Sequence, residues 1–138
     1  MKTVLFVCVE NSCRSQMAEA FASMLGPGVI QAYSSGSRPS GKVNEKAIAS
    51  MKEVGYDLSN HRSKSLADVP TIEYDAVVTM GCGDECQAIP AKRRLEWDIP
   101  DPKQLDAKRF GEVRDLIKHK VQRLIDDIRG PSRKFTLP

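Results

Sequence analysis

Residues 4–21 read VLFVCVENSCRSQMAEAF, and this stretch decides the fold. It opens with a continuous apolar run rich in β-branched residues, which is typical of a strand buried on both faces. From Ser15 the apolar residues take a helical spacing, because Met17 and Phe21 fall on one face. The pattern therefore predicts a strand that passes into a helix through a short turn beginning at Cys8.

The rest of the chain continues this alternation of strands and helices. Further strands are predicted at residues 29–33, 76–80 and 94–97, and further helices at 44–55 and 110–128. Strands that alternate with helices form parallel sheets through crossover connections. We therefore expect an α/β fold, a three-layer sandwich around a four-stranded parallel sheet, in a single domain of residues 1–130. A short basic tail, residues 131–138, follows it.

The composition restricts the kind of partner. The 138 residues carry a formal net charge of +3 and only 6% aromatic residues, which argues against a nucleic-acid binder. No segment has the ~20 consecutive apolar residues that cross a bilayer, and the first apolar run is too short for a signal peptide. We expect a cytoplasmic protein without membrane contact and, in solution, a monomer. In that compartment, four cysteines favour catalysis or metal binding over a permanent disulfide framework.

Cys8 and Arg14 suggest an anion site in the turn after the first strand. Ligands of open α/β sheets bind beyond the carboxyl ends of the strands, where Cys8 is expected. Amide groups of the turn and the positive end of the helix dipole attract anions and favour a thiolate over a thiol. The Arg14 guanidinium can hold two oxygens of a tetrahedral anion. The predicted oxyanion-binding residues are Val9, Glu10, Asn11, Ser12, Cys13, Arg14 and Ser15.

Three residues of this turn have further predicted roles. Asn11 tolerates the left-handed backbone that a tight cradle requires. Ser15 is placed to donate a hydrogen bond from its hydroxyl to the Cys8 sulfur. Taken alone, Asn11 is equally consistent with an ordinary turn residue, and Ser15 with an ordinary helix cap. Cys13 is interpreted as a structural residue packed under the cradle.

The segment CVENSCRSQMAEAF, residues 8–21, resembles the phosphate loop of the low-molecular-weight protein tyrosine phosphatase family. Its part NSCRSQMAE resembles the arsenate reductase branch of that family, and the resemblance extends over roughly residues 2–128. It implies a low-molecular-weight phosphatase-like, flavodoxin-like fold with Cys8 as the nucleophile. In WDIPDPKQ, residues 97–104, the Asp101-Pro102 pair matches the element that carries the family's general acid, with Asp98 as the local competitor.

The segment VVTMGCGDECQ, residues 77–87, adds a second pair of cysteines. If the first and third strands are neighbours, Cys82 approaches Cys8. The arrangement resembles the three-cysteine relay of thioredoxin-coupled arsenate reductases. That resemblance implies a thiol–arsenate adduct on Cys8, attack by Cys82 on the Cys8 sulfur with release of arsenite, and a final Cys82–Cys86 disulfide. Thioredoxin would supply the reducing equivalents, and no bound cofactor is expected.

Other interpretations of the cysteines remain open at this stage. One is a low-molecular-weight phosphatase that hydrolyses phosphomonoesters through a Cys8 phosphocysteine. Lys103 and Gln104 follow Asp101-Pro102, where phosphatases of the family often have tyrosines and arsenate reductases commonly have a small residue and a glycine, so this chain departs from both branches. The others are a structural zinc site, although neither pair has C-x2-C spacing, a pair of inert buried cysteines, and a redox-sensing or anion-binding module.

Supporting residues are expected on the neighbouring loops. Ser35 and Asn44 are predicted to hold the phosphate loop through hydrogen bonds, and Asn44 is also predicted to cap the helix that follows it. Some arsenate reductases bind potassium through residues that match Asn11, Glu19, Ser34 and an acid at the position of Lys64. We therefore predict no metal site here, with the Lys64 ammonium in place of the ion. The histidines, His61 and His119, are expected to be solvated.

Overall fold

The computed structural model describes residues 1–81 and 89–130. The strands are β1 (Lys2–Cys8), β2 (Ile30–Gly36), β3 (Ala76–Thr79) and β4 (Arg94–Glu96). The helices are α1 (Arg14–Leu25), α2 (Glu45–Lys52) and α3 (Ala107–Arg129), with short 3₁₀ turns at Leu58–Asn60 and Leu66–Asp68. Helices separate β1 from β2 and β2 from β3, as the sequence pattern predicts, whereas no described helix lies between β3 and β4.

The sheet is parallel throughout, in the order β2-β1-β3-β4. Strand β1 is therefore flanked on both sides, which explains why its last five residues are all buried. Cys8 is in register with Gly36 of β2, and Val7 is in register with Thr79 of β3. The first and third strands are neighbours, which is the condition under which Cys82 was expected to approach Cys8, and their carboxyl ends meet beside Cys8.

The two faces of the sheet bury separate apolar clusters. The side chains of Val4 and Phe6 point to one face, where they pack among apolar residues of the three helices. Alternate residues of the same strand, Leu5 and Val7, point to the other face. There the cluster is completed by Val69, Tyr74, Val77 and Ile89. The α/β fold with a four-stranded parallel sheet is confirmed, and irregular segments contribute to the covering of its second face.

Side-chain caps fix where two of the helices begin. The Asn44 carboxamide accepts a hydrogen bond from the Lys46 amide at the start of α2, as the sequence predicts. Helix α3 begins three residues before the first predicted apolar position, because Asp106 caps it by accepting from the Arg109 amide. The buried stripe of α3 runs from Phe110 to Ile125. None of the helices in the described ranges is long and apolar enough to cross a membrane.

Candidate active site

Cys8 is the last residue of β1, and its thiol is 3% exposed. The Cys8 sulfur lies 2.9 Å from the Ser15 hydroxyl oxygen in the second residue of α1. That oxygen already accepts a hydrogen bond of 2.7 Å from the Asn11 side-chain amide. Because the Asn11 amide occupies a lone pair of Ser15, the hydroxyl hydrogen is free to point at sulfur.

Asn11 holds the turn together from beneath. Its φ of +50° is in the left-handed region, and the residue is completely buried. Its side-chain oxygen accepts from the Gln16 side-chain amide and from the Lys64 backbone amide, both at 2.8 Å. A single carboxamide thus joins the turn to α1 and to the loop after the first 3₁₀ turn. Gln16 and Lys64 were not predicted to serve this purpose.

The carbonyl groups of the turn all point away from its centre. Each backbone carbonyl from residue 8 to residue 13 accepts a hydrogen bond. The donors are the amides of Ser37, Arg38, Ser40, Asn44 and Met17, the Ser63 hydroxyl and the Gln16 side chain. Among the described residues, no amide of residues 9–13 donates to a backbone carbonyl. Those amides therefore remain available for an anion in the concave side of the turn.

The turn encloses a cavity of about 310 Å³. Cys8, Val9, Glu10, Ser12, Cys13, Arg14, Gly81 and Asp101 line it. Asn11 and Ser15, which were also predicted to bind the oxyanion, lie behind this wall and support it. A larger cavity of about 400 Å³ lies between β4 and α3, but it has no cysteine among its described lining residues. The chemistry of its side chains makes the smaller cavity the candidate active site.

Arg14 supplies the positive charge of the cavity. Its Nη1 donates to the Ile99 carbonyl at 3.1 Å, and its Nη2 lies 4.0 Å from an Asp101 carboxylate oxygen. The Arg14 side chain is only 12% exposed, so these contacts fix the guanidinium plane across the cavity. Since one edge of the guanidinium is held by protein oxygens, its remaining donors can meet two oxygens of a tetrahedral anion.

Asp101 reaches the cavity from the loop between β4 and α3. Its Oδ1 accepts a hydrogen bond of 3.0 Å from the Lys103 amide, and the side chain is 55% exposed. Asp98, the competing candidate for the general acid, is not among the lining residues. Of the two aspartates, Asp101 is therefore the one within reach of a leaving oxygen.

Cys13 is a different kind of thiol from Cys8. It is 4% exposed, and burial raises the pKa of its side chain to about 11. The Ser12 hydroxyl lowers this pKa and the nearby Asp101 charge raises it, both to a smaller extent than burial. Cys13 therefore stays protonated near neutral pH, which fits its interpretation as a structural residue.

The predicted supporting residues differ in what they contact. The Asn44 amide donates to the Ser12 carbonyl at 3.0 Å, so Asn44 secures the turn through its backbone while its side chain caps α2. The Ser35 hydroxyl is buried and has no hydrogen-bond partner among the described residues. Gly36, its neighbour, was not predicted, yet a Cβ there would lie 2.6 Å from the Val9 carbonyl oxygen. Close approach of β2 to the turn thus requires glycine at position 36.

The Lys64 ammonium lies where it was expected to replace a potassium ion. Its ammonium lies 3.2 Å from the Ser34 hydroxyl, 3.1 Å from the Arg62 carbonyl and 3.5 Å from a Glu19 carboxylate oxygen. Ser34 also donates a short hydrogen bond to Glu19. Within the described ranges, no three His, Cys, Asp or Glu side chains come close enough to hold a metal ion together.

His61 is not the solvated side chain that the sequence suggested. One ring nitrogen lies 2.6 Å from the Tyr56 hydroxyl and the other lies 3.0 Å from the Gln16 side-chain oxygen. Burial lowers the pKa of His61, whereas the Glu19 carboxylate raises it to a smaller extent. Through Gln16 and Asn11, the ring is connected by hydrogen bonds to the serine beside Cys8. The prediction for His61 was wrong because its contact with Gln16 joins segments 45 residues apart, which the local sequence does not indicate.

Cys82 and Cys86 lie outside the described residues. Gly81, the last described residue before them, lines the cavity and has a φ of +82°.

Comparison with known proteins places the chain in a family. It belongs to the low molecular weight phosphotyrosine protein phosphatase family, whose model matches residues 3–133. A glutaredoxin arsenate reductase from Synechocystis is 40% identical over 131 residues, which cover 93% of this chain and 99% of that protein.

Two solved structures extend this comparison. One, described as an arsenate reductase in the phosphate binding state, superposes with a TM-score of 0.82 at 40% identity and covers 93% of this chain and 99% of its own. The thioredoxin-dependent arsenate reductase of Corynebacterium glutamicum has a TM-score of 0.76 at 28% identity, covering 94% of this chain and 62% of its own.

Proposed function

We propose that this protein is an arsenate reductase that uses Cys8 as its nucleophile. The observation that carries the proposal is the cavity itself, in which the sulfur beside the Ser15 hydroxyl faces a guanidinium and turn amides that donate to no backbone carbonyl of the described residues. These groups match a thiolate that attacks a tetrahedral oxyanion. The names of the relatives favour arsenate as that oxyanion.

The first step forms a bond between the Cys8 sulfur and arsenic. One arsenic–oxygen bond breaks, and the leaving oxygen departs as water after it takes a proton from Asp101. Arg14 and the amides of the turn hold the remaining oxygens and stabilise their charge. Arsenic remains in the +5 state in this step, since no electrons have yet been transferred to it.

The electron transfer belongs to Cys82 and Cys86. The Cys82 thiolate attacks the Cys8 sulfur, and the electron pair of the sulfur–arsenic bond goes to arsenic, which leaves as arsenite in the +3 state. Cys86 then attacks Cys82 and releases the Cys8 thiolate. The support for these two steps is the spacing of the cysteines in the sequence and the position of Gly81 on the cavity wall.

The remaining Cys82–Cys86 disulfide requires a dithiol reductant. We propose thioredoxin, because an internal disulfide between two cysteines of the enzyme is a suitable substrate for thiol–disulfide exchange with a dithiol protein. One relative is named for thioredoxin and another for glutaredoxin, so glutaredoxin is the competing reductant. Reduced thiols at every step favour a reducing compartment such as the cytoplasm.

A coupled assay tests the proposal. Purified protein is incubated with arsenate, NADPH, thioredoxin and thioredoxin reductase, and a parallel reaction contains glutaredoxin, glutathione and glutathione reductase. We expect NADPH oxidation that requires arsenate and is faster with thioredoxin. Cys8→Ser is expected to abolish it. If neither reductant system supports arsenate-dependent NADPH oxidation, the proposed function is refuted.

The second candidate function is hydrolysis of phosphomonoesters. The same cavity, nucleophile and Asp101 would serve it, because phosphate and arsenate have the same shape and charge. Cys82→Ser separates the two functions, since only arsenate reduction requires the second thiol. We expect the Cys82→Ser variant to lose arsenate turnover while any hydrolysis of an aryl phosphate persists.

A further inference from the structure

A second cavity of about 460 Å³ adjoins the active site on the side of α2. Glu10 and Ser12 line both cavities, and Lys103 lines only the second. Between the turn and the loop that carries Asp101 stands an ion pair, in which the Lys103 ammonium donates to both Glu10 carboxylate oxygens at 3.1 Å. We call this pair the clasp. The clasp bridges the gap between these two loops.

The carboxylate of Glu10 is out of place on the wall of an anion site unless it is neutralised. An unpaired negative charge there would repel a dianionic substrate. Lys103 neutralises that charge, and the hydrogen bond that it donates to Glu10 raises the pKa of Lys103. The side chains of Lys103 and Glu10 are 43% and 39% exposed, and ion pairs so exposed contribute little to stability. Stabilisation of the fold therefore does not account for the clasp.

The loop that carries Lys103 is itself held in place. The Lys46 ammonium of α2 donates to the carbonyls of Lys103 and Leu105, both at 3.1 Å. On the other side of Asp101, the Ile99 carbonyl accepts from Arg14. Because the loop is anchored on both sides of the general acid, the clasp closes between two positioned segments. It thus forms a barrier between the anion cavity and the adjoining one.

A substrate with an organic group would meet this barrier. In-line attack by sulfur places the leaving oxygen on the side of the anion opposite Cys8, where the Asp101 loop lies. In a monoester that oxygen carries the organic group, which needs space beyond the anion cavity. The adjoining cavity, lined by Ser40, Val43 and Asn44 among others, offers such space on the far side of the clasp.

Building on the proposed function, we propose that the Glu10–Lys103 clasp is a selectivity element for the active site. It admits inorganic tetrahedral oxyanions and disfavours monoesters and organic phosphonates, because their organic group would have to displace the ion pair to extend into the adjoining cavity. Lys103 and Glu10 limit the size of the substrate that fits the active site, and their charges cancel. A paired change in both residues therefore alters selectivity without altering net charge.

Binding of two anions tests the clasp without relying on turnover. The dissociation constants of inorganic phosphate and phenylphosphonate are measured by isothermal titration calorimetry on reduced protein. We compare the parent with Glu10→Ala/Lys103→Ala, which opens the clasp, and with Glu10→Lys/Lys103→Glu, which rebuilds it in reverse. Lys42→Ala/Glu45→Ala is the matched control, because that pair lines the adjoining cavity without bridging the two loops.

In the parent, phenylphosphonate is expected to bind more weakly than phosphate. The dissociation constant of phenylphosphonate divided by that of phosphate should fall roughly fivefold in the opened variant. This is the size of effect that a half-exposed ion pair can exert. The ratio should return to within about twofold of the parent in the reversed variant, and the control should match the parent. An unchanged ratio in the opened variant, or a reversed variant that behaves like the opened one, overturns the proposal.

The clasp and the proposed function can fail separately. If the ratio changes but the parent does not reduce arsenate, the proposed role of the clasp stands and the proposed function is refuted. If the parent reduces arsenate but the ratio does not change, only the proposed role of the clasp is refuted. Failure of the parent to bind phosphate would overturn both.

Discussion

The Arg14 guanidinium lies where a side chain at position 81 would begin: a Cβ added to Gly81 would be 2.6 Å from Arg14 Nη1. Gly81 also has a φ of +82°, which L residues with side chains rarely adopt. The end of β3 is therefore shaped to let the guanidinium span the cavity. This close approach brings together the residue that is proposed to bind the anion and the residue that precedes Cys82.

Gly81→Ala is expected to weaken phosphate binding by at least about tenfold, because the new methyl group displaces the arginine from its two-point contact with the anion. The backbone strain should also lower the free energy of unfolding by ~1–3 kcal/mol. Gly55→Ala is the control, since Gly55 has a φ of +86° but nothing within 4 Å of its added Cβ. Calorimetric binding and urea denaturation check both variants. Equal loss of phosphate binding in the two would contradict the role of the contact.

Lys64 is expected to make the protein insensitive to potassium. Replacing sodium chloride by potassium chloride at equal ionic strength should change neither arsenate turnover nor the denaturation midpoint of the parent. Lys64→Ala should be less stable by about 2–4 kcal/mol, because it leaves the Glu19 carboxylate, with 19% of its side chain exposed, without its cation. Potassium is expected to restore part of that loss.

Lys92→Ala is the matched control for Lys64, since Lys92 pairs with Asp75 at 3.6 Å but has 65% of its side chain exposed. We expect a change of less than about 1 kcal/mol there, with no effect of potassium. Activation or stabilisation of the parent by potassium would refute the view that Lys64 replaces the ion.

His61 is expected to make stability depend on pH below its ordinary pKa of 6.5. Because burial lowers its pKa below the ordinary 6.5, the unfolded chain takes up a proton at a higher pH than the folded protein does. The free energy of unfolding should therefore fall as the pH drops in this range. Aspartates with lowered pKa values, such as Asp57 and Asp75, act in the same direction at lower pH.

The pH effect of His61 can be isolated by substitution. His61→Gln should flatten the curve of unfolding free energy against pH just below 6.5, and His119→Gln, at an exposed position of α3, is the control. Urea denaturation at several pH values checks this. A curve of the same slope in the His61→Gln variant would show that another group is responsible.

Cys8 and Cys13 should differ sharply in reactivity. With a pKa of about 11, the Cys13 thiol is protonated at pH 7, so iodoacetamide should modify Cys8 and leave Cys13 intact in the folded protein. Phosphate should slow the modification of Cys8 by occupying the cavity. Peptide mapping by mass spectrometry measures both rates, with urea-unfolded protein as the control in which both cysteines react. Equal modification of Cys13 in the folded protein would contradict its assignment.

Local residue chemistry was sufficient to predict the strand that ends at Cys8, the left-handed backbone at Asn11 and the cap at Asn44. These features depend on a few consecutive residues, whose patterns are specific. The contacts of His61 with Gln16 and of Lys103 with Glu10 were missed, because each pair joins segments far apart in the chain. Their pairing follows from how the loops pack above the sheet, which spacing along the sequence does not encode.

The central claim is that Cys8 forms the adduct with arsenate and Cys82 removes it. The most direct measurement is peptide mapping by mass spectrometry of the Cys86→Ser variant, quenched with acid and alkylating agent after it is mixed with arsenate in the absence of any reductant. We expect a disulfide between Cys8 and Cys82, formed together with one equivalent of arsenite. Arsenite released while Cys8 and Cys82 remain unlinked would contradict the account.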